Sequence, residues 1–180
     1  PSHGDSVTTF KDLSGNNNDF TTHTRFTSIN ITCKYNIDNN IKSIKTDYAG
    51  FTKTGIRPHT IIIVHKNLGS GVGEFLFDLR NDLPALWNQD NGHNPGSNVF
   101  TKIVRNNNNW VLVPNEVDSS GFVTGNIQIS YFTVRTDLNY DTSSGNVNLL
   151  SRAGTTESSN ANSYIYEVLL YSDIVDHNFI

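Results

Sequence analysis

In residues 163–172 the apolar side chains fill both alternating sets of positions. Ile165, Leu169 and Tyr171 fall on one, and Tyr164, Tyr166, Val168 and Leu170 on the other. A strand apolar on both faces belongs in the middle of a sheet. Residues 60–66, TIIIVHK, form a second continuous apolar run between Pro58 and Asn67, and it too is expected to be central. Weaker patterns surround these two. Residues 7–11 read as a short strand ending in the polar turn Ser14-Gly15-Asn16-Asn17-Asn18. Ile29, Ile31 and Cys33 alternate as the buried side of an edge strand, and residues 41–48 read as the next one. Gly69, Gly71 and Gly73 join the 60–66 run to residues 74–80, where Phe75, Phe77 and Leu79 share a face, which predicts a hairpin into the core. Residues 99–105 and 110–113 read as two strands joined by Asn106-Asn107-Asn108-Asn109, a composition that accepts positive φ at a hairpin tip. In residues 125–135, Ile127, Ile129, Tyr131 and Thr133 alternate against Gln128, Ser130 and Phe132, and residues 146–152 supply a further strand.

No long pattern of 3.6-residue period interrupts these runs, so the chain is read as all-β. Without helices to cover a parallel sheet, the two-faced strands require two antiparallel sheets packed on each other, here predicted as a jelly-roll sandwich.

Composition narrows the class. The 180 residues fit one domain, 1–180, and 36% hydrophobic with 11% aromatic content is globular rather than disordered. The net charge of −4, with 13 Lys and Arg scattered along the chain, offers no basic field for a phosphate backbone, so nucleic acid is not expected as a partner. Cys33 is the only cysteine, which excludes an intrachain disulfide. No apolar run reaches membrane-span length, and the first residues lack a basic-then-apolar signal, so no membrane insertion is expected. With no methionine present, the chain is read as a processed product or a piece of a larger protein.

Two segments carry a family likeness. Asp12-Leu13-Ser14-Gly15-Asn16-Asn17-Asn18-Asp19 near the start and IYEVLLYSDIVD, residues 165–176, near the end resemble the signature segments of laminin-G-like domains of the concanavalin A-like lectin/glucanase superfamily. The resemblance spans nearly the whole chain and implies the concanavalin A-like jelly roll. It also implies an aromatic plug at Phe10, where related domains usually have tryptophan, and a short terminal helix at Asp173-Ile174-Val175-Asp176. The family includes lectins, adhesion modules, glycoside hydrolases and structural domains of phages and large viruses, so fold alone does not assign function.

The enzymatic branch of that superfamily places two glutamates on one strand. Here Glu74 and Asp78 lie about 13 Å apart along a strand, against about 5 to 5.5 Å for a retaining pair, and Leu76 holds the intermediate position. A glycosidase is therefore not expected. No Gly-x-Ser-x-Gly elbow is present, Cys33 falls on an apolar set, and His65 closes an apolar strand as a packed histidine. The three glycines of 69–73 precede no helix and no Lys-Ser/Thr pair, so they are not a phosphate loop. The sequon Asn30-Ile31-Thr32 is read as a chance triplet.

A long polar connection, residues 81–98, is of a length that is usually functional. Trp87 with Asn88, Asp90, Asn91 and His93, joined by Trp110, provides the aromatic face and the amide and carboxylate groups that a sugar requires. Asn88, Asp90 and Asn94 are oxygen donors of a kind calcium accepts, and many laminin-G domains bind calcium at a rim. One carboxylate without the spacing of a calcium loop favours an ordinary polar turn, so no cofactor is expected, and no His/Cys spacing suggests zinc. The resemblance and the failed catalytic pair together imply a non-enzymatic structural or attachment module on a phage or large-virus particle. Its expected location is the virion surface or another extracellular setting, its partners neighbouring structural subunits and cell-surface glycans. The alternative is a carbohydrate-binding or adhesion module of a bacterial surface protein or secreted glycoside hydrolase.

Overall fold

A computed structural model of the chain describes residues 2–23, 33–38, 40–45, 50–56, 58–68, 77–78, 99–106, 109–112, 125–134, 146–149 and 163–176. Among the described residues the chain forms strands and no helix, arranged as two antiparallel sheets. The larger has eight strands: β1 (Ser6–Val7), β4 (Cys33–Asp38), β5 (Ile41–Lys45), β7 (Thr60–Asn67), β9 (Val99–Asn106), β10 (Asn109–Leu112), β11 (Ile127–Val134) and β13 (Ser163–Tyr171). Their spatial order is β1-β4-β5-β13-β7-β11-β9-β10. The smaller has five, β2 (Thr9–Phe10), β3 (Phe20–His23), β6 (Gly50–Thr54), β8 (Phe77–Asp78) and β12 (Asn146–Leu149), in the order β2-β3-β6-β12-β8.

The apolar run of β7 takes the central place expected of it, flanked by β13 and β11. Ile61 and Ile63 face inward to a core that joins the sheets: Cys33, Ile44 and Ile165 from the larger, Phe20, Phe51, Val147 and Leu149 from the smaller. Burying each such aliphatic side chain stabilises the fold by about 1.5 to 3 kcal/mol. Phe10 packs against this core with its ring 5.7 Å from that of Phe51, the aromatic role expected at that position. The first strand is split, however. β1 belongs to the larger sheet and β2 to the smaller, and at the pivot the Thr8 carbonyl accepts a 2.9 Å hydrogen bond from the Thr22 N–H.

Asn40 takes the left-handed conformation that asparagine tolerates. Asp38 pairs with Ile41, leaving a two-residue tip in which Asn40 has φ 64°, and Asn106 pairs with Asn109 in the β9–β10 hairpin.

Three expectations need correction. The hairpin expected of residues 60–66 with 74–80 does not form: β11 and β13 occupy both edges of β7, and β8 lies in the other sheet, against β12. The face assignment along β13 changes at a bulge between Ile165 and Glu167, where one extra residue reverses the alternation. Ile165 therefore faces inward with Val168 and Leu170, while Leu169 faces outward, packed on Ile62 and Tyr131. Residues 173–176, expected as a helix, are instead an irregular strap over the outer face of the larger sheet. The Thr60 hydroxyl donates to the Asp173 carbonyl at 2.7 Å and accepts from the Val175 N–H at 2.9 Å. The Tyr131 phenol donates to the Val175 carbonyl. These contacts satisfy the strap's backbone from the sheet, which a helix would do within itself.

Candidate functional site

The loop residues expected to contact a sugar, Trp87, Asn88, Asp90, Asn91 and His93, lie outside the described residues, as do Asn94 and Glu74. Trp110 stands on β10, and strand register aligns it in one cross-strand row with Arg105, Ile129, Val64 and Glu167. Asp78 stands on β8 opposite Asn148.

What the described chain does assemble is a polar and aromatic cluster on the outer face of the larger sheet. Register partners share a face, so Tyr164 of β13 lies between Lys45 of β5 and Lys66 of β7. The Lys66 ammonium sits 5.7 Å from the centre of the Tyr164 ring, within cation–π range. It also reaches Asp38, at 3.0 Å from Oδ2 and 3.3 Å from Oδ1. Tyr166 occupies the bulge, which turns its side chain out to the same carboxylate, and its phenol donates to Asp38 Oδ2 at 2.6 Å. Tyr166 and Lys66 together hold the Asp38 carboxyl below its usual range. Burial and the adjacent carboxylate push the Tyr166 phenol up, so it remains a donor throughout the physiological range. The result is a surface on which Asp38, Lys66 and Tyr166 hold one another in place.

A second polar group lies inside the sandwich. His65, Gln128, Ser130 and Ser163 are all at most 3% exposed, with His65 Nε2 2.8 Å from the Ser130 hydroxyl. Burial pushes the imidazole down to about 3, so it is neutral at pH 7. This agrees with the reading of His65 as a packed histidine. It also shows that on β11 the polar set, Gln128 and Ser130, faces the core. Cys33 is fully buried, as its apolar set implied, and burial alone raises its thiol to about 12, far from a reactive thiolate.

The Asp12-to-Asp19 segment is a self-locked loop. Asp12 accepts from the N–H groups of Ser14 and Asn18, both at 2.8 Å, and Asp19 accepts from the Asp12 N–H and from Lys11. Gly15 and Asn17 supply the positive φ values the turn needs, 85° and 57°. Hydrogen bonding, from Ser14 to Asp12 and from Lys11 to Asp19, lowers both carboxyl pKa values. Leu13 projects from this loop 94% exposed. Among the described residues no group of three His, Cys, Asp or Glu side chains could hold a metal ion.

The surface cluster was not among the residues singled out from sequence. Its signal there is the alternation Lys34, Asn36, Asp38 on β4 and the polar end of β7, which becomes informative only once register joins them. In comparisons with known proteins, no family model, no curated protein and no solved structure matches the chain.

Proposed function

We propose that this chain is a non-enzymatic module of laminin-G-like, concanavalin A-like type, serving structure or attachment on a virion surface. Its partners in this reading are neighbouring structural subunits and cell-surface glycans. Support for jelly-roll connectivity comes from the repeated passage of the chain between sheets, β1 to β2, β3 to β4, β5 to β6 and onward to β13. The observation that carries the non-enzymatic reading is the division of polar chemistry. Cys33 and the His65–Ser130 pair are core residues, whereas the outer face presents phenols, ammonium groups and carboxylates suited to recognition. The viral setting rests on the likeness of the Asp12–Asp19 and Ile165–Asp176 segments.

In this reading the 81–98 loop contributes a glycan contact, with Trp87 stacking on a sugar, Asp90 and Asn91 pairing with its hydroxyls, and Asn88, His93 and Trp110 at the margin. A single site of this kind binds in roughly the millimolar range, about −4 kcal/mol, and becomes effective through many copies on a particle. A glycan array probed with a multivalent display of the domain tests it, followed by Trp87→Ala. Binding that is lost in the variant supports both function and site. Binding that survives moves the site elsewhere, and a blank array alongside binding to a structural subunit leaves an architectural module.

A further inference from the structure

Across the outer face of the eight-stranded sheet, register places Ser6, Lys34, Lys45, Tyr164, Lys66 and Ile127 in one row over successive strands. Strands lie about 4.8 Å apart, so Lys45 and Lys66 flank Tyr164 with backbones about 10 Å from each other, and Lys34 extends the row by one more strand. In a chain of net charge −4 this is a local reversal of sign. Lys66 is held by Asp38 and Lys34 leans on the Ser6 hydroxyl at 3.2 Å, whereas Lys45 has no ion-pair partner among the described residues. Tyr164 and Tyr166 are half-buried, each leaving part of its side chain open to solvent, and Glu167, exposed beyond the bulge, sits one row further along.

We propose that this face binds a carboxylated glycan, with Lys45 and Lys34 pairing to sugar carboxylates and the Tyr164 ring packing against a pyranose. The proposal rests on the reading of the chain as a glycan-contacting module and gives that contact a second surface and a ligand class. Mixed charge is what selects the ligand. Asp38 and Glu167 lie among the lysines, where they repel the closely spaced phosphates of a nucleic acid but accept hydrogen bonds from sugar hydroxyls. A polymer that alternates carboxylates with hydroxyls matches both signs. The Asp38–Tyr166–Lys66 network holds the middle of the face in advance, so the ordering that opposes binding falls on Lys34 and Lys45.

The test uses the full chain immobilised on a sensor, with polygalacturonate and polysialic acid as carboxylated probes, methyl-esterified polygalacturonate as the uncharged counterpart, and a thymidine 12-mer as the phosphate control. The expected result is retention of a carboxylated probe that falls with added salt, with the ester and the oligonucleotide at least about tenfold weaker. The double variant Lys34→Gln/Lys45→Gln, which alters only surface side chains, is expected to weaken retention about tenfold. Its melting temperature should match the parent. Equal binding of the ester, an unaffected double variant, or tighter binding of the oligonucleotide overturns the proposal. If the glycan array described above is positive while the lysine variant is silent, only this surface assignment falls. If neither the array nor these probes bind, the glycan part of the functional reading falls with it.

Discussion

His65 holds a neutral imidazole in a place where a charged one would lose its hydration. Its folded value of about 3 lies below the ordinary 6.5, so between these values the unfolded chain binds a proton that the folded chain refuses. Stability must therefore fall as pH drops from 6.5, at up to about 1.4 kcal/mol per pH unit. Asp12, Asp19 and Asp38 have lowered folded values, so their contributions are fully present above about 3.8 and are lost only below it. Among the described groups with shifted values, His65 is the one that acts between pH 6.5 and 4.5. Each kcal/mol moves the melting temperature of a domain this size by about 2 to 4 °C, and calorimetry across that interval should show a decline of several degrees. His65→Gln, which keeps an amide near Ser130 but cannot titrate, is expected to flatten the decline. An unchanged slope in the variant would assign the acid sensitivity to other groups.

At the level of elements, the bulge in β13 decides which substitutions matter. Alternation read from residues 163–172 groups Ile165 with Leu169 and Tyr171, whereas the bulge groups it with Val168 and Leu170. Leu170→Asp should therefore cost several kcal/mol by placing a charge against the core. Tyr171→Asp, at a position 40% exposed, should cost less than about 1 kcal/mol. Urea midpoints of the two variants give the comparison, and the reverse order would restore the unbroken alternation. The same strand shows what sequence makes legible. The existence and central position of β7 and β13 follow from their two-sided apolar content, and the pairing of β9 with β10 follows from the asparagine-rich run between them, a composition that tolerates positive φ. A bulge leaves no compositional mark, because Tyr166 suits either face of a strand. The passage from β7 to β8 was likewise hidden, since glycines serve a sheet-to-sheet crossing as well as a hairpin. The lysine-tyrosine row depends on the pairing of four strands, β4, β5, β13 and β7, which no local pattern encodes. The expected Trp87 site lies outside the described residues.

For the whole molecule, the order of strands ties stability to contacts between remote parts of the chain. Thr60 and Asp173, which bond through a hydroxyl and a carbonyl, are 113 residues apart. With a single cysteine and no disulfide, cohesion rests on packing, so circular dichroism is expected to show β structure with less than about a quarter helix, and chelator or dithiothreitol should leave the melting temperature unchanged. A fall of several degrees with chelator would point to a bound calcium ion. The insertion of β13 between β5 and β7 also has a temporal meaning. During synthesis β5 and β7 emerge long before the strand that separates them, and they must wait with one edge each unpaired. Until that strand leaves the ribosome, the nascent sheet offers two sticky margins to one another and to neighbouring chains. Folding should accordingly be slow and late, and a nascent chain halted at residue 162 should recruit chaperones and aggregate where one released a few residues after the last strand does not.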